Sequence, residues 1–305
     1  MSVPSTVSPP ESLDMTATTT TTTAAPAQPD SPDRDVERAR ARTRRQVLVQ
    51  VLRVALALFI IGGWEISTRL DWVDPFFFGQ PSGIGAQLVK WFQNGTAQGP
   101  LWEQILVTLE ETVLGFLVGV VLGVIFGVVL GRNRLLADIC GPYIKALNAM
   151  PRVVLGSIFI ISFGLGMQSK VALAVVLVFF VVFFNAFQGV REVDRNLLNN
   201  ARILGASERQ ISTSVILPSA LSWIIASLHT SFGFALVGAI VGEYLGAVKG
   251  IGLMIATAQG TFNANGVFAA MLILAIVAIV AESVVTWLEN RLIRWRPNAI
   301  TDIGL

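Results

Sequence analysis

The length of the uninterrupted apolar runs limits this chain more than any other feature. The stretch GFLVGVVLGVIFGVVLG, Gly115 to Gly131, carries no charged side chain. It belongs to one of several blocks that approach the roughly 20 apolar residues a helix needs to cross a bilayer. Of the 305 residues, 53% are hydrophobic and 14% charged, against about 25% charged in ordinary soluble domains. Mean hydropathy is +0.66. The chain reads as an integral, all-α membrane protein.

Runs bounded by charges and turn residues place six spans, near 47–67, 105–131, 153–165, 171–187, 219–245 and 267–288. The third is short and follows Pro151. Lysine and arginine concentrate on one side. Arg38, Arg40, Arg42, Arg44 and Arg45 precede span one, and Arg132, Arg134, Lys145 and Arg152 lie between spans two and three. Arg191, Arg195, Arg202 and Arg209 lie between four and five, and Arg291, Arg294 and Arg296 follow span six. The other side holds only Arg69, Lys90, Lys170 and Lys249. By the positive-inside rule both termini are expected in the cytoplasm. Residues 1–45, rich in Thr, Ala and Pro and poor in aliphatics, are expected to be a disordered cytoplasmic tail. Residues 46–296 form the membrane domain, with 297–305 as a short cytoplasmic end.

A single cysteine, Cys140, and a single histidine, His229, leave little material for a disulfide framework, a zinc site or Ser-His chemistry. The glycines at 115, 119, 123, 127 and 131 recur every four residues. Small residues at that spacing let a second helix approach closely, which is how spans associate where lipid offers no hydrophobic contrast. Packing within the chain and a subunit contact both satisfy that pattern.

Against this background the stretch NNARILGASERQISTSVILP, from Asn199 to Pro218, is unusually polar. Asp194 suits an N-cap, and Leu197, Ala201 and Leu204 then share one helix face. Gly205 follows, the residue preferred where a helix ends in a left-handed turn. Ser207 and Gln210 have the spacing of a capping box that opens a second helix. Pro218 suits the first turn of span five, where its missing N–H is not needed. The segment 190–218 thus reads as a helix, a glycine corner and a capped helix, with Ser207, Glu208 and Arg209 on its polar rim. An amphipathic helix lying on lipid would want more cations and bulkier apolar anchors. A protein docking site fits the pattern better.

These residues carry a resemblance. ARILGASERQISTSVILPSAL resembles the cytoplasmic signature loop of binding-protein-dependent ABC importer permeases, with Ala201, Gly205, Ala206 and the Ile216–Pro218 triplet at the family's spacing. Asn199 and Asn200 stand where that pattern has Glu and Ala. AMPRVVLGSIFIISFGLGMQSKV and FALVGAIVGEYLGAVKGIGLMI are similar to segments of the nitrate, sulfonate and taurine branch, although Gly156-Ser157 and His229 depart from it. The resemblance implies a type I importer architecture in a prokaryotic cell membrane. It implies a second permease subunit, expected to be identical, two cytoplasmic ATPase subunits, and an extracytoplasmic solute-binding protein. ATP and Mg would sit on the ATPases, with no cofactor and no nucleic acid bound by this chain. No phosphate-binding G-x-x-x-x-G-K-[ST] loop occurs in the sequence, so the chain is expected to be a transport subunit and not an enzyme. The implied solute is a sulfonate, taurine, nitrate or related anion, or alternatively a small heterocyclic nutrient or precursor. A stand-alone secondary transporter is the rival class, but neither an inverted repeat nor mid-span acid–base pairs are evident.

Pathway or gate candidates are Asn185, Ser231, Phe234 and Glu243. Glu243 closes span five before a glycine-rich turn. It either lines the route or holds an outer gate, or it is an interfacial carboxylate in water or paired with Lys249. Asn185 is expected to hydrogen-bond across helices. Phe232 is expected to face lipid or packed helices, and His229 to make a helix–helix contact. Glu282 needs a partner that the sequence does not name.

Overall fold

The computed structural model of the protein describes residues 32–193 and 195–292. Twelve α-helices occur among the described residues. They are α1 (Pro32–Arg69), α2 (Pro75–Phe78), α3 (Pro81–Asn94), α4 (Leu101–Arg132), α5 (Arg134–Ala149), α6 (Arg152–Phe163), α7 (Met167–Arg191), α8 (Arg195–Ile203), α9 (Glu208–Ile211), α10 (Leu217–Leu245), α11 (Ile251–Gly260) and α12 (Ala264–Leu292). A short π-helical segment, Ser212–Ile216, joins α9 to α10. The chain falls into two units, 1–59 and 60–305. The first contains the leading part of α1, and the rest of the fold belongs to the second.

α1 begins at Pro32, so helix reaches back into the segment expected to be irregular as far as residue 45. The Ala, Arg and Glu there are strong helix formers, and their propensity outweighs the lack of apolar side chains. The expected tail before residue 32, the Asp194 cap and the end 297–305 lie outside the described residues. Among the described residues, five helical runs are long and apolar enough to cross a membrane: Thr43–Arg69, Leu101–Arg132, Met167–Arg191, Glu208–Leu245 and Ala264–Trp287. The third expected span is different. α6 has 12 residues, about 18 Å of helix, too short to cross alone. It meets α5 at 90°. Proline disfavours helical backbone in the residue before it, and Met150, before Pro151, is extended with ψ 138°. The sixth crossing is therefore a broken one.

α7 is the central element, with Leu173, Ala174, Val178, Val182, Phe183 and Ala186 buried along it. The glycine stripe of α4 is where it docks. A Cβ placed on Gly119, Gly123, Gly127 or Gly131 would lie 2.6–2.8 Å from Val178, Val182, Ala186 or Val190, or from backbone beside them. Each contact repeats four residues on in both helices, so α4 and α7 run side by side in the same direction over the length of the stripe. The stripe is thus satisfied within the chain. α10 runs antiparallel to α7 and also touches α4, with Gly238 against Ala174, Gly242 against Lys170, and Gly189 of α7 against Ala220 and Trp223. Ala174 is pinned between helices on both sides.

The segment between spans one and two contains the surface helix expected from Pro81. Leu88 and Trp91 of α3 pack on a core formed by Ile251, Met254, Ala270, Ile273 and Val277 of α11 and α12. The Glu65 carboxylate fastens this segment to the end of α1. Its Oε1 accepts from Gln80 Nε2 and Arg69 Nε, both at 2.8 Å, and its Oε2 from the Ser82 amide at 3.0 Å.

Candidate functional site

The polar stretch folds as its residues dictate. α8 ends at Ile203, and Gly205 takes φ +80°. The Ala206 amide bonds the Ala201 carbonyl (3.0 Å) and the Gly205 amide bonds the Arg202 carbonyl (2.9 Å). This is the paired pattern of a Schellman motif, which satisfies the last carbonyls of a helix. Two residues on, Ser207 caps α9. The Ser207 amide donates to Gln210 Oε1 (2.8 Å) and the Gln210 amide to Ser207 Oγ (3.3 Å), completing a capping box. Arg202 Nε lies 3.2 Å from Glu208 Oε1 and braces one helix against the other. The corner is rigid, and its apolar face is uncovered in the single chain. Ile203 and Leu204 are 82% and 86% exposed, and Leu197 is exposed as well. Arg209 stands on the exposed rim.

Pro218 does not open a separate helix. Helical backbone is continuous from Glu208 to Leu245, with Pro218 in the first turn of α10 directly after the π-helical segment. There the Leu217 amide bonds the Ser212 carbonyl, five residues back. A proline inside a helix removes a bond and clashes with the preceding turn. The wider π turn supplies the extra residue that lets the rod continue through it.

At the opposite ends of α4 and α10 the structure builds a polar cap that the sequence did not announce. Gln104, Thr108, Glu111 and Thr112 follow one another on a single face of α4, in line with the glycine stripe, and all are buried. Three consecutive amides at the start of α11 point at side chains from other helices. Gly250 N donates to Gln104 Oε1 (2.9 Å), Ile251 N to Thr108 Oγ1 (3.0 Å) and Gly252 N to Glu243 Oε2 (2.6 Å). Thr108 Oγ1 in turn donates to Glu243 Oε1 at 2.7 Å. Unpaired amides at a helix start need acceptors, and the Glu243 carboxyl oxygens supply one. Glu243 is fully buried, so it is neither a water-facing carboxylate nor the partner of Lys249, which pairs with Glu103. Glu111 and Lys170, both buried, interact with it. Lys170 Nζ donates to the Leu165 (2.6 Å) and Gly166 (3.1 Å) carbonyls, holding the turn that opens α7. The Oε2 atom of Glu111 has no hydrogen-bond partner among the described residues. The signal for this cap was present as polar residues at i, i+4, i+7 and i+8 in an otherwise apolar span.

The remaining candidates do not converge on one site. Asn185 donates to the Val181 carbonyl of its own helix (2.8 Å) and not across helices, because the partner lies one turn back along α7. Ser231 is buried and donates to the Ser227 carbonyl at 2.6 Å. Phe234 is half-buried. Phe232 is buried, edge-on to Phe116 at 5.4 Å between ring centres. Glu243 lies about 18 Å along α10 from Ser231 at 1.5 Å per residue. His229 and Glu282, which sequence reasoning left without partners, find one another: His229 Nε2 lies 2.8 Å from Glu282 Oε1.

Five apolar rods, a broken span and a capped glycine corner define a class: polytopic permeases. Comparison with known proteins makes it specific. Residues 119–294 match the family described as the binding-protein-dependent transport system inner membrane component. The chain belongs to this family, the membrane permeases of ABC importers, and is an inner-membrane protein. It is 30% identical to the putative aliphatic sulfonates transport permease SsuC of Bacillus subtilis over 86% of this chain and 94% of that one. It is 33% identical to the riboflavin transport system permease RibX of Chloroflexus aurantiacus over 80% and 89% of the two chains. A chain from the crystal structure of an amino acid ABC transporter with histidines shares the fold. Its TM-score is 0.51 at 19% identity, covering 63% of this chain and 92% of that one.

Proposed function

We propose that this chain works as half of a permease pair, with both termini and the 190–218 corner in the cytoplasm. Two ATPase subunits, carrying ATP and Mg, bind beneath the pair. The observation that carries this reading is the corner itself. A doubly capped turn with Ile203 and Leu204 almost fully exposed is costly to leave in water, and it is rigid enough to transmit force. Ala201, Arg202, Leu204, Gly205, Ala206, Ser207, Glu208, Arg209 and Gln210 form the surface presented to the ATPase groove, and Pro218 marks where the corner passes into span five. The run of arginines in the same connections supports the orientation.

ATP-driven closure of the ATPases draws two such corners together and turns the spans from inward- to outward-facing. An extracytoplasmic binding protein delivers the solute. The sulfonate-permease likeness over 86% of the chain favours a small anion such as an aliphatic sulfonate, taurine or nitrate. The riboflavin-permease likeness at 33% identity favours a heterocyclic nutrient as the second reading. A tagged purification in mild detergent, with native mass spectrometry, tests the assembly. Two copies with two ATPase chains are expected, and Leu204→Asp or Arg209→Glu should strip the ATPases while leaving the permease pair. A permease free of ATPase in several detergents would overturn the reading.

A further inference from the structure

Glu282 and His229 raise a problem of solvation. Their side chains are 60% and 44% exposed in the chain, and they lie deep in the membrane. Along α10, Gly238 meets Ala174 of α7, and Ala220 meets Gly189. Antiparallel helices at that register place residue 229 near residue 182, and Val182 faces Gly123 of α4. Gly123 lies within one turn of the middle of the uncharged run 112–131. The pair therefore sits near the centre of the bilayer. Ionisable side chains at that depth face a bundle interior or a water-filled cavity, not hydrocarbon.

The surroundings divide the same way. On α10 the residues one and two turns from His229 on its exposed side are Ser222, Ala226, Gly233 and Val237. On α12 the neighbours of Glu282 are Ala275, Ala278, Ile279, Val285 and Thr286. The face that carries Ile276, Val280 and Trp287, all at least half exposed, points elsewhere and has the composition of a lipid contact. Small and polar residues predominate on the side that carries the acid–imidazole pair, with Val237 and Ile279 among them, while bulky apolar residues mark another.

We infer that the His229–Glu282 pair lines the water-filled solute route of the assembled permease. It is the point at which fixed ionisable groups meet a passing solute in the middle of the membrane. The inference rests on the transport reading above, and the two can fail separately. Cys140 is the sole cysteine, so Cys140→Ser gives a background for single-cysteine labelling of the full complex in proteoliposomes. With a charged, membrane-impermeant methanethiosulfonate reagent, Gly233→Cys and Thr286→Cys should react at least tenfold faster than Val280→Cys. Trapping the ATPases in their ATP-bound state should change those two rates and leave Val280→Cys as it was. Reaction of Gly233→Cys and Thr286→Cys only with a lipid-soluble maleimide would place the pair against lipid and overturn the inference. So would a spontaneous disulfide between copies with no labelling, which would place it in a dry subunit contact. Rapid labelling in a preparation that binds no ATPase would overturn the importer reading while leaving the water-facing surface in place.

Discussion

Replacing Gly119 by alanine tests the central packing of the fold. A Cβ at this position would stand 2.6 Å from Val178 Cβ, 2.7 Å from its Cγ1 and 3.1 Å from the Val175 carbonyl oxygen, where ordinary contact is 3.4–4 Å. Two of the three obstacles belong to a β-branched side chain whose rotamer is nearly fixed in a helix, and the third is backbone. The helices must therefore separate by about 1 Å, which forfeits a quarter to a half of each dispersion contact along the neighbouring turns. Overpacking of this kind costs about 1–3 kcal/mol. In water, part of that loss would be offset by about 1 kcal/mol of better helix propensity. Here the offset is small, because a span stays helical in lipid whether or not it has docked. The control is Gly233→Ala, where no atom lies within 4 Å of the added methyl and the expected change is within about 0.5 kcal/mol. Unfolding free energies from SDS titration in mixed micelles, with thermal melts of the purified complex, make the comparison. Equal stability of the two variants would refute the close-approach argument for the whole stripe.

Gly205→Val should uncouple ATP hydrolysis from uptake in proteoliposomes, because φ +80° costs a branched residue about 1–2 kcal/mol. Nothing lies within 4 Å of a Cβ there, so Gly205→Asn, which tolerates the left-handed region, should retain most coupling; loss of coupling in both variants would argue against backbone conformation as the cause. Thr108→Val leaves the Ile251 amide and one Glu243 oxygen without their hydrogen bonds. It should cost about 2–6 kcal/mol at about 1–3 per buried unsatisfied group, seen as faster amide hydrogen exchange at the start of α11. Glu103→Gln removes the partly exposed pair with Lys249 and should change stability by under about 1 kcal/mol; a larger loss in the same melts would give that pair a structural role.

Much of this architecture could be read from the sequence, and the parts that could not share a cause. Hydrophobic run length located the crossing helices, because a bilayer imposes it locally. The corner was equally legible: a left-handed glycine, a capping box and an apolar face are all satisfied within a few residues. The third span misled because an apolar run says nothing of the bend that Pro151 introduces before it. The cap on α11 joins residues 143 and 146 positions apart. The His229–Glu282 pair likewise joins different helices. Periodicity shows which face of a helix is polar, but not which other helix will meet it, or at what height. The π-helical segment escaped for another reason. Pro218 suits a helix start, and only the hydrogen-bond register shows that the helix had already begun.

That register has a mechanical consequence. Because the π turn carries the backbone through Pro218, Glu208 and Leu245 are the two ends of one stiff arm of 38 residues, roughly 55 Å long at 1.5 Å per residue. Ser207 is fixed to one end, and near the other Glu243 grips the first turn of α11. A tilt of about 10° imposed at the corner would swing the far end by about 10 Å over that length, more than the buried cap could follow intact. On the transport reading proposed above, a push delivered at the Ser207 end would therefore reach the α11 latch through one covalent rod, which must break that latch or carry it along.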